Sequence, residues 1–154
     1  RVGRRTCRGG VTLRVWTARL GHGGAGALNI SRGSGRGDGL AFAPSETILR
    51  PALDTRKLAE ACLRKGAPRQ AASIEDAAWA VYAPLYVAEM RASYRDNREA
   101  WERLLAREVV ALECYCDVEK WGPGHCHRVL LARDILPKFP NVTYEGEIAE
   151  RTLF

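Results

Sequence analysis

The sequence predicts an α/β protein: a small parallel or mixed sheet of three to five strands with helices on its faces, a three-layer Rossmann-like arrangement. Three observations predict it. Runs rich in β-branched and apolar residues stand at 11–20, 108–116 and 141–148, where strands are expected. The stretch from Asp54 to Arg107 is helical in periodicity. Finally, 108–148 reads strand–loop–helix–strand, a crossover that returns the chain parallel to itself.

Taken in order, "VTLRVWTARL" (11–20) is the first strand. Residues 21–39 follow, a long surface loop in which eight of nineteen residues are glycine, with a short strand at "ALNIS" (27–31). Loops this long are either functional or disordered. "AFAPS" and Pro51 continue the irregular structure. Asp54 is the expected N-cap of "TRKLAEACLRK", which Gly66 stops. Ser73 and Asp76 resemble a capping box ahead of "AAWAVY", and Pro84 is expected to kink or restart that helix. Asp96 or Asn97 caps "REAWERLLAR". "EVVALECYC" has the density of a strand buried on both faces. After "GPG" (122–124), "CHRVLLARDIL" is a helix ended by Pro137, and "NVTYEGEI" closes as a strand. Trp79, Tyr82 and Tyr86 recur at helical spacing and read as core, as do Tyr94, Trp101 and Cys62.

The chain has 154 residues, 46% of them hydrophobic and 27% charged, as expected of a globular protein. Four charges of the net +6 are arginines in the first ten residues, so residues 11–154 carry only +2. Residues 1–10 are therefore expected to be a flexible Gly/Arg tail, read as a start that is not native, ahead of a single domain over 11–154. The basicity is thus a weak argument for nucleic acid. No apolar run is long enough to cross a bilayer, and no secretory signal is seen. Five cysteines without signs of secretion point to reduced thiols in a cytoplasm.

"GHGGAG" (21–26) matches G-x-G-x-x-G in form, but no helix follows it, so a dinucleotide site is rejected. Ser31, Arg32 and Arg36 could still bind an anion. The densest chemistry lies in "ECYCDVEKWGPGHCHR" (113–128), with three cysteines and two histidines. Zinc held by Cys114, Cys116, Cys126 and His125 is one reading, although C-x-C followed by His-Cys-His departs from the usual ligand spacing. The other is a reactive thiol. Cys126 would open a helix, where the dipole favours thiolate, with His127 beside it. Arg128 would need an anionic partner, either Glu113 or Asp117 or a bound phosphate or carboxylate.

These residues resemble a known family. "LECYC…GHCHRVLLARDIL" is similar to the C-terminal motif of domain-of-unknown-function family 488, in which an apolar strand ends in Cys and Cys-His-Arg opens the next helix. "VWTARL", "LNISRG" and "YAPLYVAEMRASY…WERLL" resemble its two opening strands and central helices. The resemblance covers most of residues 13–136 and implies a compact α/β domain, often bacterial or phage-encoded, with no established reaction. It carries Cys114, Cys126, His127 and Arg128 onto shared positions, and Thr17, Ser31 and Arg32 onto N-terminal ones. Cys116 stands where an acid is commoner, and "WGPG" lengthens the preceding loop.

The resulting expectation is a small enzyme with Cys126, His127 and Arg128 as its catalytic group. Thr17, Ser31, Arg32 and Cys114 would bind an anionic small molecule or nucleic-acid component. The alternative is a non-catalytic module that binds nucleic acid or a partner, with a structural Cys/His zinc cluster. No cofactor is required beyond that zinc, and no membrane is expected as a partner.

Overall fold

The structure is a computed structural model and describes residues 10–24, 26–116 and 125–149. Residues 1–9 of the expected tail and the "GPG" turn lie outside them. The strands are β1 (Leu13–Arg19), β2 (Ala27–Asn29), β3 (Val109–Cys114) and β4 (Val142–Glu147). They form one all-parallel sheet in the order β2-β3-β1-β4. The helices are α1 (Glu46–Arg64), α2 (Pro68–Asp96), α3 (Arg98–Leu105) and α4 (His127–Val129). The last continues as a π-helical turn over Leu130–Ile135 and a 3-10 turn over Leu136–Lys138, and another 3-10 turn spans Gly37–Phe42. This is the α/β, Rossmann-like fold expected. Among the described residues no helix is long and apolar enough to cross a membrane.

β3 is buried along almost its whole length, as a strand covered on both faces must be. The chain leaves β1 toward β2 and leaves the adjacent β3 toward β4, on opposite sides of the sheet. In open α/β sheets such a divergence opens a crevice at the carboxyl ends of the strands. Leu13, Val15, Val110, Leu112, Leu131 and Leu136 fill the space beside the sheet. Phe42, Tyr86 and Trp101 extend that core under α2 and α3.

Two helices differ from expectation. α1 begins at Glu46, not near Asp54, and runs through Pro51. Proline removes one helical hydrogen bond, but the start of α1 is held from outside: Glu89 of α2 accepts bonds from both the amide and the hydroxyl of Ser45. α2 is one helix from Pro68 to Asp96 and carries Pro84 internally. Proline suits the first helical turn, so the helix starts at Pro68 and Ser73 falls inside it rather than capping it. Gly66 does end α1 and sits at φ 72°. Asn97 separates α2 from α3, but its side chain donates to Ser93 Oγ instead of capping.

Candidate functional site

The loops after β2 and β3 meet α1 and α2 around a cleft of about 630 Å³. Its wall is mostly aliphatic and aromatic, with Leu49, Leu53, Trp79 and Tyr82 among the lining side chains, and its floor is the cysteine cluster. Of the glycine-rich segment 21–39, Ser31, Arg32 and Gly33 line this cleft, and residues 21–24 do not. Glu113, buried at the end of β3, accepts the amide of Gly23 at 3.2 Å, and its carboxylate lies 4.0 Å from His22 Nδ1. A protein carboxylate thus occupies the amide that a phosphate would need. The loop after β2 reaches the cleft instead. It turns tightly on Asn29, whose carbonyl lies where a Cβ on Gly39 would stand, 2.0 Å away.

β3 ends at Cys114, the loop after it carries Cys116, and the start of α4 delivers Cys126, His127 and Arg128. Cys114 and Cys126 are buried with their sulfurs 3.1 Å apart, and Cys116 packs against both. Arg128 is 1% exposed and lies beneath them. Its Nη1 donates to Cys116 O at 2.7 Å and Cys114 Sγ at 3.0 Å, while Nη2 pairs with Glu147 at the end of β4. The anionic partner that Arg128 needs is therefore Glu147. Glu113 serves the β1 loop, and Asp117 lies outside the described residues. His127 is buried against Tyr86 and donates from Nε2 to Ile30 O at 3.1 Å. Burial holds its pKa below the usual histidine value, so it is neutral.

All three cysteines border the cleft, and Cys116 is the one of them that is not fully buried. Arg56 of α1 donates to its sulfur at 3.5 Å. Hydrogen bonds from the thiols of Cys114 and Cys126 hold the Cys116 thiol far below its ordinary range, and the charge of Arg56 adds to this. Burial pushes Cys114 up to about 11 and drives Cys126 upward as well. The expected dipole effect on Cys126 is outweighed: α4 has three residues, and Cys126 caps it without a side-chain bond. The electrostatics thus favour one thiolate, at Cys116, with two thiols behind it.

The remaining expected residues divide. Ser31 lines the cleft, bonded to Asn29 Oδ1 and Ser34 Oγ. Arg32 lines it too, but donates from Nε and Nη2 to the carbonyls of Pro44 and Ala43. Thr17 is fully buried beneath β4 with its hydroxyl on Tyr144, away from the cleft. His125 stacks on Trp79 and turns Nε2 toward Asp76, 3.6 Å away. The zinc set expected from sequence is thereby split, although Cys114, Cys126 and His127 bring their ligand atoms within 4.8 Å of one another. Tetrahedral zinc would hold two sulfurs about 3.8 Å apart. The 3.1 Å contact and the guanidinium beside it suit hydrogen-bonded thiols better.

Four residues escaped the sequence reading as site residues: Arg56, Glu75, Trp79 and Tyr82. Arg56 and Glu75 form an ion pair at 3.7 Å between α1 and α2. Among the described residues, Glu75 Oε1 and His125 Nδ1 are buried side-chain atoms without a hydrogen-bond partner, and both residues line the cleft. Burial raises the Glu75 carboxyl above the usual carboxylate range, with Arg56 opposing. Helical spacing marked Trp79 and Tyr82 as core. No sequence signal pairs residue 56 with residue 75, because their meeting depends on how α1 folds back on α2.

A family model described as the active DUF488-N3 subclade, DUF488-N3a, matches residues 41–138, more than half of the chain. The chain belongs to the DUF488 family. No curated protein and no solved structure matches it. In this DUF488 protein the matched span holds α1, α2, β3 and α4, and with them Arg56, Glu75 and the residues from Cys114 to Arg128. Thr17, Ser31 and Arg32 precede it.

Proposed function

We propose that this protein is a small cysteine-dependent enzyme that transfers or hydrolyses a group bound in the α1–α2 cleft. The observation that carries this reading is the placement of Cys116: its sulfur faces a largely apolar cleft, with a guanidinium at 3.5 Å and two thiols at its back. The thiolate attacks an electrophilic centre of the substrate and forms a covalent intermediate. Glu75, whose carboxyl burial raises above the usual carboxylate range, gives a proton to the leaving group and then takes one from the water or acceptor that releases the product. Cys126 and Arg128, expected from sequence as the reacting pair, support from beneath: Cys126 hydrogen-bonds the thiolate and Arg128 fixes the carbonyl of Cys116. The subclade description, "active", agrees with catalysis.

The chemistry needs reduced thiols and so fits the cytoplasm. A phosphate-bearing or nucleotide-derived substrate is the second reading, favoured by Arg32 and Arg56 on the cleft wall. It ranks second because the cations lining the cleft already have partners: Arg32 the two carbonyls, Arg50 Glu46, Arg56 Glu75 and Lys57 Asp54.

The test is alkylation of the native protein with iodoacetamide, site by site, from pH 5 to 9. A thiolate at Cys116 reacts at a nearly constant rate over that span, whereas a protonated thiol speeds up about tenfold per pH unit; Cys62, outside the cluster, is the internal reference. Arg56→Met should slow Cys116 and leave Cys62 unchanged. Equal rates and equal pH profiles at the two cysteines would remove the nucleophile. One zinc per chain, lost in Cys126→Ser, would make the cluster structural instead.

A further inference from the structure

The three sulfurs are more than a single nucleophile requires. Cys114 and Cys126 are 1% and 2% exposed, their sulfurs touch at 3.1 Å, and Cys116 packs against both while facing the cleft. A disulfide needs the sulfurs at about 2.0 Å, so Cys114 and Cys126 lie about 1 Å of side-chain motion from bonding. All three border the cleft, but Cys114 and Cys126 are nearly fully buried, whereas Cys116 is half-buried and the most exposed to an oxidant entering it. Cys62, on α1, is not in the cluster.

From this geometry we infer that the cluster is a peroxide-reactive relay: Cys116 takes the oxidation, and the buried Cys114–Cys126 pair ends as the disulfide. The inference rests on Cys116 being the accessible thiolate, and goes beyond the group-transfer reading. In the first step the Cys116 sulfur attacks the outer oxygen of a hydroperoxide. The O–O bond breaks, the alcohol or water leaves with a proton, and Cys116 becomes a sulfenic acid. In the second, the Cys126 sulfur displaces the hydroxyl as water and forms a Cys116–Cys126 disulfide. In the third, Cys114 attacks the Cys126 sulfur, and Cys116 leaves as a thiolate while Cys114 loses its proton. The two electrons given to the peroxide come in the end from Cys114 and Cys126.

The direction of the third step follows from the surroundings. Exchange runs fastest toward the better leaving thiolate, and Cys116 is the member held by Arg56. A direct Cys114–Cys116 bond would close a strained ring across one intervening residue. Arg128, donating to Cys114 Sγ at 3.0 Å and reaching Cys126 Sγ at 3.9 Å, assists the loss of the Cys114 proton. The site is then ready again at Cys116, with its reserve of two electrons used.

The experiment treats the full chain with one equivalent of hydrogen peroxide, blocks free thiols with iodoacetamide and maps linkages by tandem mass spectrometry. The relay predicts Cys114 joined to Cys126, with Cys116 and Cys62 alkylated. In Cys126→Ser no disulfide forms, and dimedone labels Cys116. In Cys116→Ser the formation of Cys114–Cys126 slows at least about tenfold, because the accessible thiolate is gone. A Cys116 oxidised no faster than Cys62, or a Cys114–Cys126 disulfide forming as fast without Cys116, overturns the relay. Rapid iodoacetamide alkylation of Cys116 in a protein that forms no disulfide would leave the nucleophile intact and sink the relay alone.

Discussion

The two halves of α2 bury polar groups in opposite ways. Along the C-terminal half, each is matched by a neutral partner. Tyr86 donates to Phe42 O at 2.7 Å, Trp101 Nε1 donates to Ser93 Oγ at 3.1 Å, and Ser93 passes its own proton to Ala41 O at 2.5 Å. Phe42, Tyr94 and Phe139 close around Trp101, with ring centroids 4.9–5.8 Å away. Along the N-terminal half, Glu75 keeps a carboxylate oxygen and the nearby His125 a ring nitrogen without a hydrogen bond among the described residues, and the Glu75 ion pair with Arg56 is stretched to 3.7 Å. The same helix is a satisfied core at one end and an unsatisfied cleft wall at the other. Buried polar atoms left without partners cost stability. Their gathering in one cleft is what the proposed site draws on.

The largest expected effect separates the halves. Trp101→Ala should cost about 3–5 kcal/mol in urea denaturation, from lost ring packing and the cavity left behind. Cys116 should still alkylate at the wild-type rate below the transition. A fall in that rate would show that the two halves are coupled.

Arg128→Met comes next and tests the floor between them. It strips the donor from Glu147 and from Cys116 O, and a broken buried pair of this kind costs about 3–5 kcal/mol. The loss falls at the lower end of that range, because Glu147 is partly exposed. Adding Glu147→Leu should restore much of it; no restoration would mean that the ion pair is not the reason. Tyr86→Phe removes only the bond to Phe42 O and should cost about 1 kcal/mol.

Glu75→Gln is the smallest in stability and the sharpest in contrast. Removing a buried charge whose oxygen has no hydrogen bond should leave the denaturation midpoint unchanged or slightly higher. Turnover of any substrate found for the cleft should fall by about 10²–10⁴-fold if Glu75 moves the proton. A loss of stability like that of Tyr86→Phe would instead make Glu75 a structural residue.

Much of the fold was legible because local pattern and tertiary environment agree. β1, β3 and β4 lie where β-branched runs place them, Gly66 ends α1 at a positive φ, and the 108–148 crossover gives the parallel sheet. The misread boundaries are those where a distant group decides. Glu89 anchors the start of α1 at Ser45, nine residues ahead of Asp54 and its local capping signal. Ser73 has the spacing of a cap, but Pro68 had already begun the helix.

The site divides along the same line. The stretch 113–128 announced itself by composition, and the amino-acid order alone put Cys114 in an apolar strand and Cys126, His127 and Arg128 at the start of a helix. It could not say which sulfur would carry charge. That depends on Arg56 from α1, on Glu147 drawing Arg128 beneath the cluster, and on the burial of Cys114 and Cys126. Hydrophobic period and turn chemistry act over a few residues and can be read along the chain. A thiol's acidity is set by charges and hydrogen bonds within a few ångströms in space, and here these come from residues 60 positions upstream and 31 downstream of Cys116.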